Sequence, residues 1–418
     1  MSKSSKSFDI VLFGVTGFTG KLAVEYLLQK GYPNWAACAR NETKAKDVLK
    51  KIADASDSAN KKEEEIPLLV ADLVCKTDEQ KEKLRDVVKS TKVVLTTAGP
   101  FEKYGLTLAQ LCAEEGVHYA DITGETAFVR HTIEHYDSIA RKSGALIVSH
   151  CGNDCIPSDL TAFEMNKFAT QQGGTLIRAA TYNQFPASAT FSGGTAITAV
   201  HQLAKSTQKS DAPFDPLLTN ADGQKSAFKT TITHKSTVYN KEFDCKAGPW
   251  IMAPVMANCV RRSNALLGYN HNLEFGDAFL STDKTWTGWA KRTTLAASIG
   301  AAIYVAPMRA FLPQPGEGPP RQDMEHGYLF VHGRGTMTTT AGGEEEEKQI
   351  ESKFHFKKDV AYLMTAEMLV EAGMLLVEKA KRGKTDGGVV SPAAAFGSSL
   401  TERLLKEMDV SFEIKLVE

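Results

Sequence analysis

The chain has few cysteines, seven among 418 residues, and no Cys-x-x-Cys pair. The odd count, with Cys38 and Cys112 in apolar runs, argues against a disulfide framework and for reduced thiols in an intracellular, cytoplasmic protein. Cys151 and Cys155 are four apart, with Pro157 close by and no second ligand pair, so no metal site is expected. A charge excess is missing too. With 49 basic and 50 acidic residues the net charge is −1, which removes the electrostatic footprint of a nucleic-acid binder. The uncharged segment 295–308 has only 14 residues, short of the ~20 that span a bilayer. Residues 1–7 are short and polar and run straight into an apolar strand, so no signal peptide is expected. Short-chain reductases pair Tyr and Lys four apart on a late helix. The one such spacing here, Tyr26 and Lys30, falls on the first helix and reads as two residues sharing a helix face.

What is present is a glycine-rich turn in the right setting. Ile10, Val11, Leu12 and Phe13 form an apolar run, Gly14-Val15-Thr16-Gly17-Phe18-Thr19-Gly20 follows, and Leu22, Ala23, Tyr26 and Leu27 then recur at helical spacing. Strand, glycine turn and helix together make a pyrophosphate cradle, because backbone N–H groups and the positive end of the helix dipole converge there. The spacing is GxxGxxG, a roomier loop than GxGxxG. The next strand, residues 35–39, ends in Arg40, with Asn41 and Lys44 nearby. An acidic residue there would take the ribose 2′-OH of NAD, whereas a cation suits a 2′-phosphate, so NADP(H) is the expected cofactor. The competing reading of Arg40 is a solvated strand-end residue.

A hydrophobic content of 42% over this length leaves room for two or three domains. Strands are expected at 66–70 (closed by Asp72), 92–97 (closed by Ala98-Gly99-Pro100), 117–122 and 145–149, with helical patterns at 105–115 and 127–142 between them. This predicts an α/β chain whose N-terminal domain, residues 1–156, is a doubly wound, Rossmann-type parallel sheet. The charge-dense stretch 53–65 reads as a surface insertion. Ligands on such sheets lie outside the carboxyl ends of the strands. Expected cofactor contacts are therefore Gly14, Thr16, Gly17, Phe18, Thr19 and Gly20, then Arg40 and Asp72, then Ala98, Gly99 and Pro100. Asp121, His150 and Asp154 are the catalytic candidates, able to hold a substrate or relay a proton beside the nicotinamide. Each has a structural alternative: Asp121 and Glu125 as helix caps, His150 as a rim histidine, Asp154 as a turn residue before Pro157.

A second domain, 157–385, has a different texture. Residues 177–182, 229–233, 327–340 and 348–357 alternate with period two, which predicts a mixed or antiparallel sheet in an α+β domain, with Gly342-Gly343 at a hairpin tip. Ser192-Gly193-Gly194-Thr195 opens a helical stretch at 196–204, and 361–381 reads as a helix rich in Met, Leu and Val, expected to form core between the domains. The cofactor cleft is expected between the two domains.

The run Gly14 to Gly20, Ala98-Gly99-Pro100-Phe101, His118-Tyr119-Ala120-Asp121-Ile122-Thr123-Gly124-Glu125, and Cys151-Gly152-Asn153-Asp154-Cys155-Ile156-Pro157-Ser158-Asp159 resemble the saccharopine dehydrogenase-like oxidoreductases, a group that takes in the mycobacterial trans-acting enoyl reductases. Pro315-Gly316-Glu317-Gly318-Pro319 and the run from Gly387 to Gly397 are similar to its downstream signatures. Lys358-Asp359-Val360-Ala361-Tyr362 departs from the expected Gly-Asp-Pro-Gly-Tyr-like turn, and Val360 cannot cheaply take a positive φ. The resemblance implies an NADP(H)-dependent oxidoreductase and a C-terminal segment, 386–418, that packs back on the first domain. It also implies an apolar or lipid-linked small-molecule substrate reduced at C=O, C=N or C=C. Two alternatives stand beside it: a non-catalytic NADP-binding protein on lipid droplets or membranes, and a saccharopine-type amino-acid reductase drawing on Arg178, Arg261 and Arg262. Because some members sit on lipid droplets or membranes, segment 295–308 has two readings, a buried core helix or a lipid-facing one. Its flanks Trp286, Trp289, Lys291, Arg292, Arg309 and Phe311 suit the second. A homodimer is a further open partner state.

Overall fold

In a computed structural model of the chain, the described residues are 6–55, 66–153, 155–186, 192–195, 198, 225–234, 236–248, 252–281, 313–314, 316–341, 344–383 and 385–417. Asp154, segment 295–308 with its aromatic and cationic flanks, nearly all of 196–204, Pro315 and the Gly342-Gly343 tip lie outside them. The chain divides into two compact units: residues 1–153, 315–317 and 361–400, and residues 154–314, 318–360 and 401–418. Against the domain ranges expected from sequence, this moves 315–317 and 361–385 into the first unit, and 154–156 and 401–418 into the second.

The first unit is built on seven parallel strands. In chain order they are β1 (Phe8–Phe13), β2 (Trp35–Ala39), β3 (Leu68–Val70), β4 (Thr91–Thr96), β5 (His118–Asp121), β6 (Leu146–Val148) and a late strand, Gly388–Val390, which becomes β14 once the second unit's strands are counted. Their spatial order is β14-β6-β5-β4-β1-β2-β3, and every pairing is parallel. Ile10 to Phe13 are buried, as a strand covered by helices on both faces must be. The order reverses between β1 and β4. The register sets Phe13 beside both Cys38 and Thr96, and Thr96 beside Asp121, so these strands end level. The helix Leu363–Arg382 packs on the helix Phe18–Gln29 and on β1, β4 and β5. It is buried on all sides from Leu363 to Val377. Gly373 permits that approach, since a Cβ there would stand 2.7 Å from Leu95 Cδ1.

The second unit holds an eight-stranded mixed sheet. Its strands are β7 (Gly174–Gln184), β8 (Lys229–Ile232), β9 (Val238–Asn240), β10 (Cys245–Gly248), β11 (Asn272–Leu280), β12 (Leu329–Ala341), β13 (Glu344–Phe356) and β15 (Val410–Leu416). The path is β15-β13-β12-β7-β11-β10-β9, with β8 also on β11. β7 and β8 run parallel to β11, and the remaining pairs are antiparallel. The helices Ile156–Gln171 and Ala253–Leu267 cover one face and share a core with Leu176, Phe275, Met337 and Ile350. Val360 is buried, and among the described residues only His150 and Asp244 combine a positive φ with a side chain. The loop at 358–362 therefore does not require the glycine its sequence lacks. Among the described residues no helix is long and apolar enough to cross a membrane. No group of three or more His, Cys, Asp and Glu among them is placed to hold a metal.

Candidate active site

The glycine turn leaves β1 and opens the helix Phe18–Gln29. Gly14 has φ of +86°, and a Cβ there would stand 2.5 Å from Thr97 Oγ1. A Cβ on Gly20 would lie 2.1 Å from the Gly14 carbonyl oxygen. Both positions therefore exclude any side chain, and the loop closes through Gly17 N–H on Gly14 O at 2.9 Å. Gly17 is the N-cap and offers no side-chain hydrogen bond. The first-turn N–H groups, which no helical carbonyl can satisfy, are thus available to an anion. A pyrophosphate fits this cradle on geometry alone. Thr16, Phe18 and Thr19 are half-buried around it. The Phe18 ring meets Tyr362 edge to face at 5.4 Å. Lys21 Nζ donates to Gly316 O at 3.0 Å. Thr97, Tyr362 and Gly316 surround the loop yet lie far from it in sequence, so no local signal marks them.

Arg40 stands exposed just past β2 and makes no hydrogen bond or ion pair with a described residue. Asn41 is occupied differently: its Oδ1 accepts from Lys44 N–H at 2.9 Å and caps the helix Glu42–Ala55. Asp72 lies just past β3, the neighbour of β2, and its Oδ1 accepts from Val74 N–H at 3.0 Å. The guanidinium of Arg40 thus faces solvent on the β2 side of the switch point. That is where a doubly wound sheet places the adenosine ribose, and a 2′-phosphate fits there.

On the other side, the ends of β4, β5 and β6 form one hydrogen-bonded assembly. Asp121 closes β5 and is fully buried. Its Oδ1 accepts from Thr123 N–H at 3.0 Å and His150 N–H at 3.3 Å, and its Oδ2 accepts from Ser149 Oγ at 3.1 Å. Burial pushes its carboxyl up to about 6, against the stabilising pull of the Thr123 N–H and of His150. His150 is buried in a left-handed backbone, φ 67°. Its Nδ1 lies 2.6 Å from Thr123 O and must carry the proton in that bond. Thr123 Oγ1 accepts from Glu125 N–H at 3.0 Å. Glu125 caps a helix, but one outside its own segment: its carboxylate reaches the backbone of Phe101 and Glu102. Asp121 and His150 are brought together. Ala98, Gly99 and Pro100 lie at the adjacent β4 end, with a cis peptide before Pro100. Asp154 lies outside the described residues.

In the second unit, Asp277 Oδ2 accepts from Ser158 Oγ, Thr181 Oγ1 and Asn183 Nδ2 at 3.2, 2.6 and 2.8 Å, a buried polar knot that the sequence did not announce. Of the arginines considered for substrate carboxylates, Arg178 is tied to Glu347 at 2.6 Å and Arg262 is buried.

Residues 10–148 match the family model of the saccharopine dehydrogenase NADP-binding domain. The trans-acting enoyl reductase of Mycobacterium tuberculosis is 31% identical over 432 residues, covering 97% of each chain. That of Mycobacterium ulcerans is 31% identical over 430 residues at the same coverage. Among solved structures, the apo saccharopine dehydrogenase (L-Glu forming) of Saccharomyces cerevisiae matches 98% of this chain and 100% of its own at a TM-score of 0.55. Its identity is 11%, so that likeness concerns the fold. On this similarity along nearly the whole of both chains, the chain belongs to the saccharopine dehydrogenase-like family of NADP-dependent oxidoreductases, the family of the trans-acting enoyl reductases.

Proposed function

We propose that this oxidoreductase uses NADPH to reduce the carbon–carbon double bond of an enoyl group on an apolar, lipid-linked substrate. The observation that carries the reading is the 31% identity to trans-acting enoyl reductases along nearly the whole of both chains. The carbonyl of an enoyl group draws charge from its β-carbon, so reduction needs a hydride there and a proton at the α-carbon. The cofactor, when bound, supplies the hydride. The protein's part is to hold the nicotinamide half over the β4, β5 and β6 ends and to manage the proton. We assign the proton to His150: Nδ1–H is committed to Thr123 O, so Nε2 is the ring atom at which a proton is gained or lost. Asp121, buried with both oxygens engaged, fixes the His150 backbone and acts as a positioning residue. Asp154, four residues on, is the further proton-transfer candidate. Contact of segment 295–308 with a lipid surface belongs to the same proposal.

The test is turnover with NADPH deuterated at the transferred position, against a panel of 2-enoyl thioesters of increasing chain length and against saccharopine with NADP⁺. Deuterium at the β-carbon of the longer enoyl chains is expected. Oxidation of saccharopine with silent enoyl substrates would replace the reading with an amino-acid reductase. Tight NADPH binding with no turnover on either arm would leave a non-catalytic nucleotide-binding protein.

A further inference from the structure

The geometry points to Glu125 as a positioning residue for the nicotinamide half of the cofactor, acting through the backbone of the β4 loop. This inference rests on the NADP reading of the first unit. Glu125 is 1% exposed, and its two carboxylate oxygens are divided between two backbone donors. Oε1 accepts from Phe101 N–H at 2.7 Å and Oε2 from Glu102 N–H at 2.9 Å. Those N–H groups begin the helix Phe101–Tyr104, whose N-cap is Pro100. Pro100 has no side-chain polar atom to cap them. A carboxylate arriving from β5 takes that role, and charge-assisted bonds of this kind are the stronger class.

The reach of Glu125 is set by two successive side-chain turns. Thr123 N–H bonds Asp121 Oδ1, and Glu125 N–H bonds Thr123 Oγ1, each at 3.0 Å. The chain from 121 to 125 is thereby held in one shape, and Glu125 is delivered under the neighbouring loop. That loop is pinned at its other end as well. Thr97 N–H donates to Phe13 O at 3.1 Å, and Ala98 N–H to Thr96 Oγ1 at 3.2 Å. Between the two fixed ends, Thr97 and Ala98 are half-buried and Gly99 is exposed, while Pro100 and Phe101 are buried. The loop thus shows solvent only the part that lies over the switch point, and Glu125 holds the buried part. In a doubly wound sheet the first mononucleotide half lies over β1 and β2 and the second over β4 onward. Releasing Phe101 and Glu102 should loosen the platform of the second half and leave the first untouched.

The experiment compares adenosine 2′,5′-bisphosphate, which carries the adenosine half and its 2′-phosphate alone, with NADPH. Binding is measured by calorimetry to the full chain and to Glu125→Ala and Glu125→Gln, with the fluorescence of the bound reduced nicotinamide as a second readout. Expected are a loss of about tenfold in NADPH affinity for Glu125→Ala, a smaller loss for Glu125→Gln, which keeps one acceptor, and a weakened nicotinamide emission. Binding of the bisphosphate should change by less than about twofold. Equal losses for both ligands would overturn the proposal, since they would mean a general loosening of the unit. Unchanged NADPH affinity and emission in both variants would overturn it too. Failure of the unsubstituted chain to bind the bisphosphate would instead remove the NADP reading on which it rests.

Discussion

We assign the cofactor choice to Arg40, a cation at the β2 end with no bonded partner among the described residues. It is exposed and bonded to no described residue, so a 2′-phosphate would not have to displace an existing partner. Arg40→Ala should weaken NADPH binding about ten- to a hundredfold, the worth of charge-assisted bonds to one phosphate, and leave NADH within about twofold. Equal losses in a parallel titration of the two would remove the 2′-phosphate role. Asp121 allows a prediction of a different kind, since its carboxyl is raised from 3.8 to about 6 by burial. Between those values the folded chain binds more protons at this site than the unfolded chain. Its contribution to stability is therefore largest below pH 4, falls as pH rises towards 6, and is constant above. Asp121→Asn keeps an acceptor for Thr123 and His150 and removes the titration. Relative to the unsubstituted chain it should gain on the order of 3 kcal/mol between pH 4 and pH 7. Urea unfolding at half-unit steps of pH would show a flat difference if Asp121 does not titrate in this range.

Among the elements, β14 is a short edge strand. It has three residues and, among the described residues, pairs with β6 alone. Asp137 Oδ1 accepts from Val389 N–H at 2.7 Å, and Oδ2 from Arg141 Nε at 2.8 Å. Removing this carboxylate leaves a buried N–H unpaired. Asp137→Ala should therefore cost about 1–3 kcal/mol, and hydrogen exchange at Val389 and Val390 should quicken more than at β1. Unaltered exchange at β14 would show that the pairing with β6 suffices. β1, β2, β4 and β5 are legible in the sequence because each is a short run, mostly apolar, that ends near Gly, Arg or Asp and is largely buried; β14, three residues beginning at Gly388, is too short for a pattern and is not among the expected strands. β11 is not legible, because Gly276 and Asp277 interrupt its pattern, and Asp277 is accommodated by partners on other elements, among them Ser158, Thr181 and Asn183. β9 and β10 are too short for a period to show. The glycine turn and the Arg40 end are local in sequence, and the grouping of Asp121 with His150 follows from the rule that ligand-facing residues gather at the carboxyl ends of neighbouring parallel strands. The capping of one segment by Glu125 of another, and the arrival of Thr97 and Tyr362 at the glycine loop, depend on strand order and leave no local trace.

At the scale of the whole chain, the first unit is discontinuous. Residues 361–400 belong with 1–153, although 157–385 had read as one domain because its composition changes near Pro157 and not near Ala361. The helix Leu363–Arg382 is buried on every face from Leu363 to Val377, mostly through Met, Leu, Val and Ala, and lies against β1, β4 and β5, so a first unit lacking it would expose a broad apolar surface and aggregate. Its connection to the preceding segment is short in space: Asn153 N–H donates to Thr365 Oγ1 at 2.9 Å. Residues 1–153 can therefore be joined to 361–400 through a flexible linker of about ten residues, whose mean span of roughly 17 Å is ample for that gap. The joined chain should unfold cooperatively and bind adenosine 2′,5′-bisphosphate, because it contains the glycine cradle, Arg40 and the core beneath them. Residues 1–153 alone, and residues 1–360, should give no cooperative thermal transition and no binding. If 1–153 alone bound the bisphosphate as tightly as the full chain, the late helix would be an addition to a self-sufficient unit. If only the joined chain binds, the cofactor site exists only after residue 400 has been made, and synthesis of the second unit's first strands must precede completion of the first unit.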